Sequence, residues 1–152
     1  MGSWIQRSSM PTPRHDLQTV AVDGKIYAIS GAGYLTVDAV EIYEVGTDTW
    51  TQGPPIPTKR GWLGADLLDN KIYVAGGKTI DGGKLTTSVE KYDPDAAGSG
   101  WVNATHSLPP TSNPEAPGRY FLVVVNVQGT LWGLGGSDGV QPLDSVVIFD
   151  GG

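Results

Sequence analysis

The chain has 152 residues, 39% of them hydrophobic, and a formal net charge of −6 from ten Lys plus Arg against sixteen Asp plus Glu. That length holds one domain with a core, and the acidic balance argues against a nucleic-acid or anionic-membrane partner, since phosphate binding rests on clustered positive charge. The lack of cysteine excludes disulfides and thiolate metal sites, and no apolar stretch approaches the roughly 18 residues of a membrane span.

In chain order, Met1-Gly2-Ser3 has neither the basic nor the apolar region of a signal peptide and looks like an expression-vector start, so localisation is unknown. The next segment, WIQRSSMPTPR from Trp4 to Arg14, matches WTQGPPIPTKR from Trp50 to Arg60. Both have a Trp, a Gln two residues on, an apolar-Pro-Thr triplet and an Arg ten residues after the Trp. From Arg14 an eighteen-residue block runs to Gly31, and it recurs without a gap from Arg60 to Gly77 and from Arg119 to Gly136. Each copy opens on Arg, runs through apolar residues, is interrupted by two polar ones (Asp23-Gly24, Asp69-Asn70, Gln128-Gly129) and closes on glycine. Two apolar runs joined by such a pair predict a tight β-hairpin, because these residues tolerate the positive φ of the turn.

A third run follows each hairpin: AVEIYE from Ala39, SVEKYD from Ser88 and SVVIFD from Ser145. Trp50 and Trp101 come after the first two. For the first unit the expected strands are Leu17 to Val22, Ile26 to Ser30, Val40 to Tyr43, and one around Trp50. Four short strands repeated at a period in the forties to fifties are the sequence form of a β-propeller blade. A two-sheet β-sandwich would not need the same block in triplicate. The nearly continuous apolar runs, such as Phe121 to Val125, suit strands buried on both faces between neighbouring blades.

The paired glycines Gly76-Gly77 and Gly135-Gly136, the aromatics Tyr43, Tyr92 and Phe149, and the later Trp50 and Trp101 resemble the kelch repeat, over nearly the whole chain. The first copy departs from that pattern with Ser30-Gly31, and the Tyr-to-Trp spacing is seven residues in one copy and nine in the next. The resemblance implies an all-β, kelch-type β-propeller with three four-stranded blades: residues 14–51, 60–102 and 119–150. The last lacks its outer strand, and residues 4–10 form an outer strand that completes a blade begun elsewhere. Three blades leave open ends with apolar faces that associate. A homodimer closing a six-bladed ring by exchange of edge strands is therefore expected, the alternative being an excised or engineered half of a longer protein.

Strand direction sorts the loops by face. Two-residue turns lie on one side, and the variable loops lie on the other: Ala32 to Asp38, Lys78 to Thr87, Ser137 to Asp144 and the Pro-rich Asn103 to Gly118. Binding residues favour variable loops on a rigid scaffold. Arg14, Arg60 and Arg119 open the innermost strands on that face, where guanidinium forks suit an acidic peptide or protein ligand; the competing reading has each arginine bracing its own loop. His15, Tyr34, Trp62 and Tyr120 lie on or beside the same rim and are the candidates to line a pocket, against ordinary packing. Arg14-His15-Asp16 invites an acid–base reading, but neighbours on a strand point to opposite faces.

No catalytic residue, metal site or cofactor is assigned, since no HExxH, GxSxG or phosphate loop is present. The resemblance implies a protein- or peptide-binding scaffold module, with a metal-free enzyme of the sialic acid mutarotase type as the alternative. The copper chemistry of galactose-oxidase-like relatives needs a cysteine that this chain lacks.

Overall fold

The computed structural model describes residues 2–33, 38–96 and 98–151, and among them there are strands, turns and loops but no helix. β1 (Gln18–Val22), β2 (Lys25–Ile29), β3 (Val40–Glu44) and β4 (Thr49–Gln52) form one antiparallel sheet in that spatial order. Next come β5 (Arg60–Gly61), β6 (Gly64–Leu68), β7 (Lys71–Ala75), β8 (Lys78–Thr79), β9 (Val89–Tyr92) and β10 (Val102–Asn103). Of these, β6-β7-β9-β10 make the second four-stranded sheet, and β5 pairs with β8 beside it. β11 (Val123–Val127), β12 (Thr130–Leu134) and β13 (Val146–Phe149) make a third sheet of three strands.

The hairpins follow from their turn residues. Asp23 and Gly24 sit at φ 50° and 74°, Asp69 and Asn70 at 48° and 59°, and Gln128 and Gly129 at 52° and 79°. Two successive positive φ values twist the turn in the sense that keeps the flanking strands paired. Each hairpin is also pinned at its far end, where His15 bridges Ala32, Gly61 pairs with Lys78, and Tyr120 bridges Ser137.

Innermost strand β6 packs against β1 on one side and β11 on the other, so the sheets stand side by side as the blades of a propeller. Between the first and second blades lies a core that includes Tyr27, Ile29, Val40, Ile56, Ile72, Val74 and Trp101. Burial of each such aliphatic or aromatic side chain contributes about 1.5–3 kcal/mol. The core between the second and third blades, Leu68, Tyr73, Ala75, Val89 and Leu131, is smaller and has no tryptophan.

The third blade corrects one expectation. Its apolar runs are not buried on both faces: Val123, Val125, Val127, Trp132, Leu134, Val146 and Ile148 are all exposed, because none of the described sheets covers that side.

The segment before β1 lies along the first blade as residues 54–60 lie along the second. The Trp50 indole N–H donates to the Ser8 carbonyl at 3.0 Å, and the Trp101 indole N–H to the Pro54 carbonyl at 2.9 Å. Ser8 precedes the apolar-Pro-Thr triplet of its linker by two residues, and so does Pro54.

Candidate functional site

The third residue of each block marks the inner rim of the loop-rich face. Asp16, Trp62 and Phe121 have φ of 54°, 54° and 58°. None is glycine, and for bulky residues this left-handed conformation costs free energy that the surrounding structure must supply. It breaks the strand alternation just before Leu17, Leu63 and Leu122, so the leucine turns inward while the residue ahead of it faces the rim. Leu63 and Leu122 are fully buried and Phe121 is 55% exposed.

The three rim residues touch one another in sequence. The Trp62 indole N–H donates to Asp16 Oδ2 at 3.1 Å. Trp62 and Phe121 meet edge to face with centroids 6.0 Å apart, and Phe121 lies against Tyr120 at 4.6 Å. The Phe121 amide donates to the Trp62 carbonyl at 2.9 Å, tying the second blade to the third. His15 Nδ1 lies 2.9 Å from Asp16 Oδ2, and both side chains are largely exposed. The adjacent pair meets despite the alternation rule, because neither residue lies in a regular strand and Asp16 is left-handed. Hydrogen bonds from His15 and then Trp62 hold the Asp16 carboxyl below its ordinary value. An open cavity of about 540 Å³ adjoins His15 and Arg14. Tyr34 lies outside the described residues.

The three arginines stand beneath this rim and reach away from it, across the second strand to the third. Arg14 donates to the Ala28 carbonyl at 3.0 Å and pairs with Glu41, which also accepts from the Thr12 hydroxyl at 2.7 Å. Arg60 pairs with Glu90 at 3.2 Å and with Ser88, and Thr58 closes the cluster on Glu90. The Arg14 and Arg60 side chains have no exposure, and Arg119 is buried too. Burial lowers the Arg60 pKa, and Glu90 counteracts part of that.

In the third blade Val147 occupies the place of the glutamate and Pro117 that of the threonine. Arg119 is left with the Ser145 hydroxyl at 3.0 Å and the Gly135 carbonyl at 3.4 Å. Burial alone lowers its pKa.

Loops of this face are braced from within. The buried Asp138 carboxylate accepts the amides of Val140 and Gln141 at 2.9 and 2.8 Å, and Asn113 of the long linker donates to the Asp138 carbonyl at 3.2 Å. Among the described residues no three His, Asp or Glu side chains converge as metal ligands.

Sequence reasoning singled out His15, Trp62 and Tyr120, discounted Asp16 on strand alternation, and missed Phe121. The signal for both was their alignment with Trp62 in the block.

With this geometry in view, a family model described as "Kelch motif" matches residues 13–57. Human Kelch-like protein 23 is 32% identical over 95 residues, covering 62% of this chain and 16% of that protein. The chain belongs to the kelch-repeat family. Mouse Kelch-like protein 35 is 30% identical over 105 residues, 69% of this chain and 17% of that protein. Spermatocyte protein spe-26 of Caenorhabditis elegans is 31% identical over 100 residues, 60% of this chain and 17% of that protein. This kelch chain thus spans about a sixth of the length of these relatives. Among solved structures, one titled "Structure of YjhT" superposes with a TM-score of 0.81 at 18% identity, covering 98% of this chain and 53% of that one. At that identity the likeness speaks for the fold: the three kelch blades match half of a longer chain.

Proposed function

We propose that the loop-rich face of this kelch unit is a protein- or peptide-binding surface, with the contact centred on Trp62 and Phe121 and flanked by His15, Asp16 and Tyr120. The observation that carries this reading is the aromatic pair, a half-buried Trp62 against an exposed Phe121, held on left-handed backbone at equivalent positions of neighbouring blades. Tryptophan and tyrosine are enriched among the residues that dominate interface energies, and strained backbone of this kind clusters at functional sites. The arginines act from below, fixing the strands that present the rim.

An acidic ligand was expected from free guanidinium groups. With those groups turned inward, the rim offers one carboxylate, one imidazole and three rings, which favours a segment led by aromatic or basic side chains.

The test is a peptide array probed with the chain and with its Trp62→Ala and Phe121→Ala variants. A central aromatic anchor is worth about 2 kcal/mol or more, so binding should weaken by about 30-fold or more. Selected peptides that bind both variants as well as the parent chain would refute this reading.

A second reading, a metal-free sugar-anomer enzyme of the mutarotase type, draws on the His15–Asp16 pair beside the Trp62 ring. It requires that the chain speed the equilibration of a reducing sugar's anomers, followed by NMR, and that Asp16→Asn abolish the effect.

A further inference from the structure

Between the second and third blades lies a cavity of about 310 Å³. Its walls correspond, position for position, to the residues that enclose Trp101 one interface earlier. Tyr73, Val89 and Leu108 stand where Tyr27, Val40 and Ile56 stand, and Leu131 and Phe149 stand where Ile72 and Tyr92 stand. In the filled interface Trp101 stacks on Tyr92 with centroids 5.4 Å apart and is buried. In the other, Phe149 meets the rings of Tyr73 at 5.5 Å and His106 at 6.4 Å, and among the described residues no indole stacks on it and no strand lies beyond β13. Such an apolar slot holds several times water's share of about 30 Å³, and an indole is the group that the same walls hold elsewhere in this chain.

The chain also carries an unplaced tryptophan. Trp4 is fully exposed, and it opens the segment that matches the one headed by Trp50. We propose that the cavity is the socket for Trp4 of a second copy of this chain, whose Trp4–Gln6 segment adds a fourth strand to the third blade. Each copy holds one socket and one such segment, so two copies related by a two-fold axis satisfy both. The added strand also caps the unpaired edge of β13 and sets its Ile5 beside the exposed Ile148.

The register follows from β4, where Trp50 faces Tyr43, Thr51 faces Ile42 and Gln52 faces Glu41. Trp4 then faces Phe149, Ile5 faces Ile148 and Gln6 faces Val147. Gln52 Nε2 donates to the Val40 carbonyl at 3.1 Å, which assigns Gln6 to the Val146 carbonyl. Trp50 and Trp101 donate to carbonyls two residues before Met10 and Ile56. The Trp4 indole is thereby assigned to the carbonyl of His106, two residues before Leu108 and on the cavity wall. This inference is independent of what the rim binds.

The experiment uses three measurements. Light scattering of the intact chain at tens of micromolar should give twice the 16.0 kDa chain mass, and Trp4→Ala should give the single mass while keeping its β-sheet circular dichroism. A peptide of residues 2–13 added to the Trp4→Ala chain should bind, with a blue shift of the peptide's tryptophan emission, whereas the same peptide with alanine at position 4 should not. In a chain without native cysteine, Ile5→Cys with Ile148→Cys should oxidise to a covalent two-chain species, since directly opposed residues have Cα atoms about 4.5–5.5 Å apart, within the span of about 4.4–6.8 Å that a disulfide bridges. This variant decides the matter if Trp4→Ala does not fold. A single-mass parent chain, a Trp4→Ala chain that stays paired, a peptide that does not bind, or a disulfide formed only within one chain would each overturn the second copy as the occupant.

Discussion

The Arg60 guanidinium and the Glu90 carboxylate meet at 3.2 Å with neither side chain reaching solvent. Taking one charge away leaves the other buried and unpaired, which costs about 3–5 kcal/mol, whereas replacing both by apolar groups of similar volume is often far milder. Glu90→Ala is therefore expected to be severely destabilising, and Arg60→Met with Glu90→Leu less so than either change alone. Urea denaturation followed by tryptophan emission checks this. A double variant as destabilised as either single would contradict it.

The third blade offers the converse experiment. Val147 stands in the place of the glutamate there, so among the described residues Arg119 is a buried cation with no carboxylate against it. Removing it as Arg119→Met should cost clearly less than Arg60→Met, and could raise the denaturation midpoint. Supplying the partner as Val147→Glu should stabilise by about 1.5–3 kcal/mol, the range for hydrogen bonds to charged groups. Equal losses for the two arginine variants would show that Arg119 has a partner of similar strength.

How far the chain could be read beforehand follows from the range of the forces involved. The hairpins were legible because Asp23-Gly24 and its counterparts act within four residues, and the all-β kelch fold followed from their repetition. The kink at Asp16, Trp62 and Phe121 was not legible. No local rule places a tryptophan or a phenylalanine at positive φ; burial of Leu63 and Leu122 and the Phe121 amide bond to the Trp62 carbonyl impose it. That each arginine could serve as a brace was legible, but its glutamate was not, because Arg60 and Glu90 are thirty residues apart and only the sheet brings them together. The exposed face of the third blade was misjudged for a related reason. Apolar content reports that a strand can be buried on both faces, not that a neighbour stands beside it.

Glu41 is one carboxyl through which acid should weaken the fold. Burial raises its pKa, but hydrogen bonds from Thr12 and Arg14 and the charge of Arg14 outweigh this, leaving it below its ordinary value of 4.5. A carboxyl with a lower pKa folded than unfolded contributes stability that is fully present above the unfolded value and is lost as pH falls through the folded one. Stability should thus be flat with respect to this group above about pH 5 and decline below it. Asp48 shifts the same way, through the Ser8 amide and then the Tyr43 hydroxyl, so the segment before β1 loosens over the same acid range. Glu41→Gln should reduce the acid slope of the urea midpoint; an unchanged slope would exclude Glu41 as its source.

The closing glycines should prove unequal to the residues that precede them. Gly77 has φ 102°, and a Cβ there would lie 2.7 Å from the Gly61 carbonyl oxygen; at Gly136 the same atom would lie 2.7 Å from that of Tyr120. Both the conformation and the contact exclude a side chain, because the carbonyl belongs to the pairing that pins the hairpin at the rim. One position earlier the first copy carries Ser30 at φ 57°, a left-handed value that a small polar residue tolerates, and its hydroxyl donates to the Arg60 carbonyl. Gly77→Ala is expected to cost about 2–4 kcal/mol by adding backbone strain to a clash. Ser30→Gly should cost only about 1 kcal/mol, the loss of one hydrogen bond. Thermal denaturation of the two variants side by side decides it: a Gly77→Ala chain as stable as Ser30→Gly would mean that the hairpin can open at the rim without penalty, and that the rim is not held as rigidly as its geometry requires.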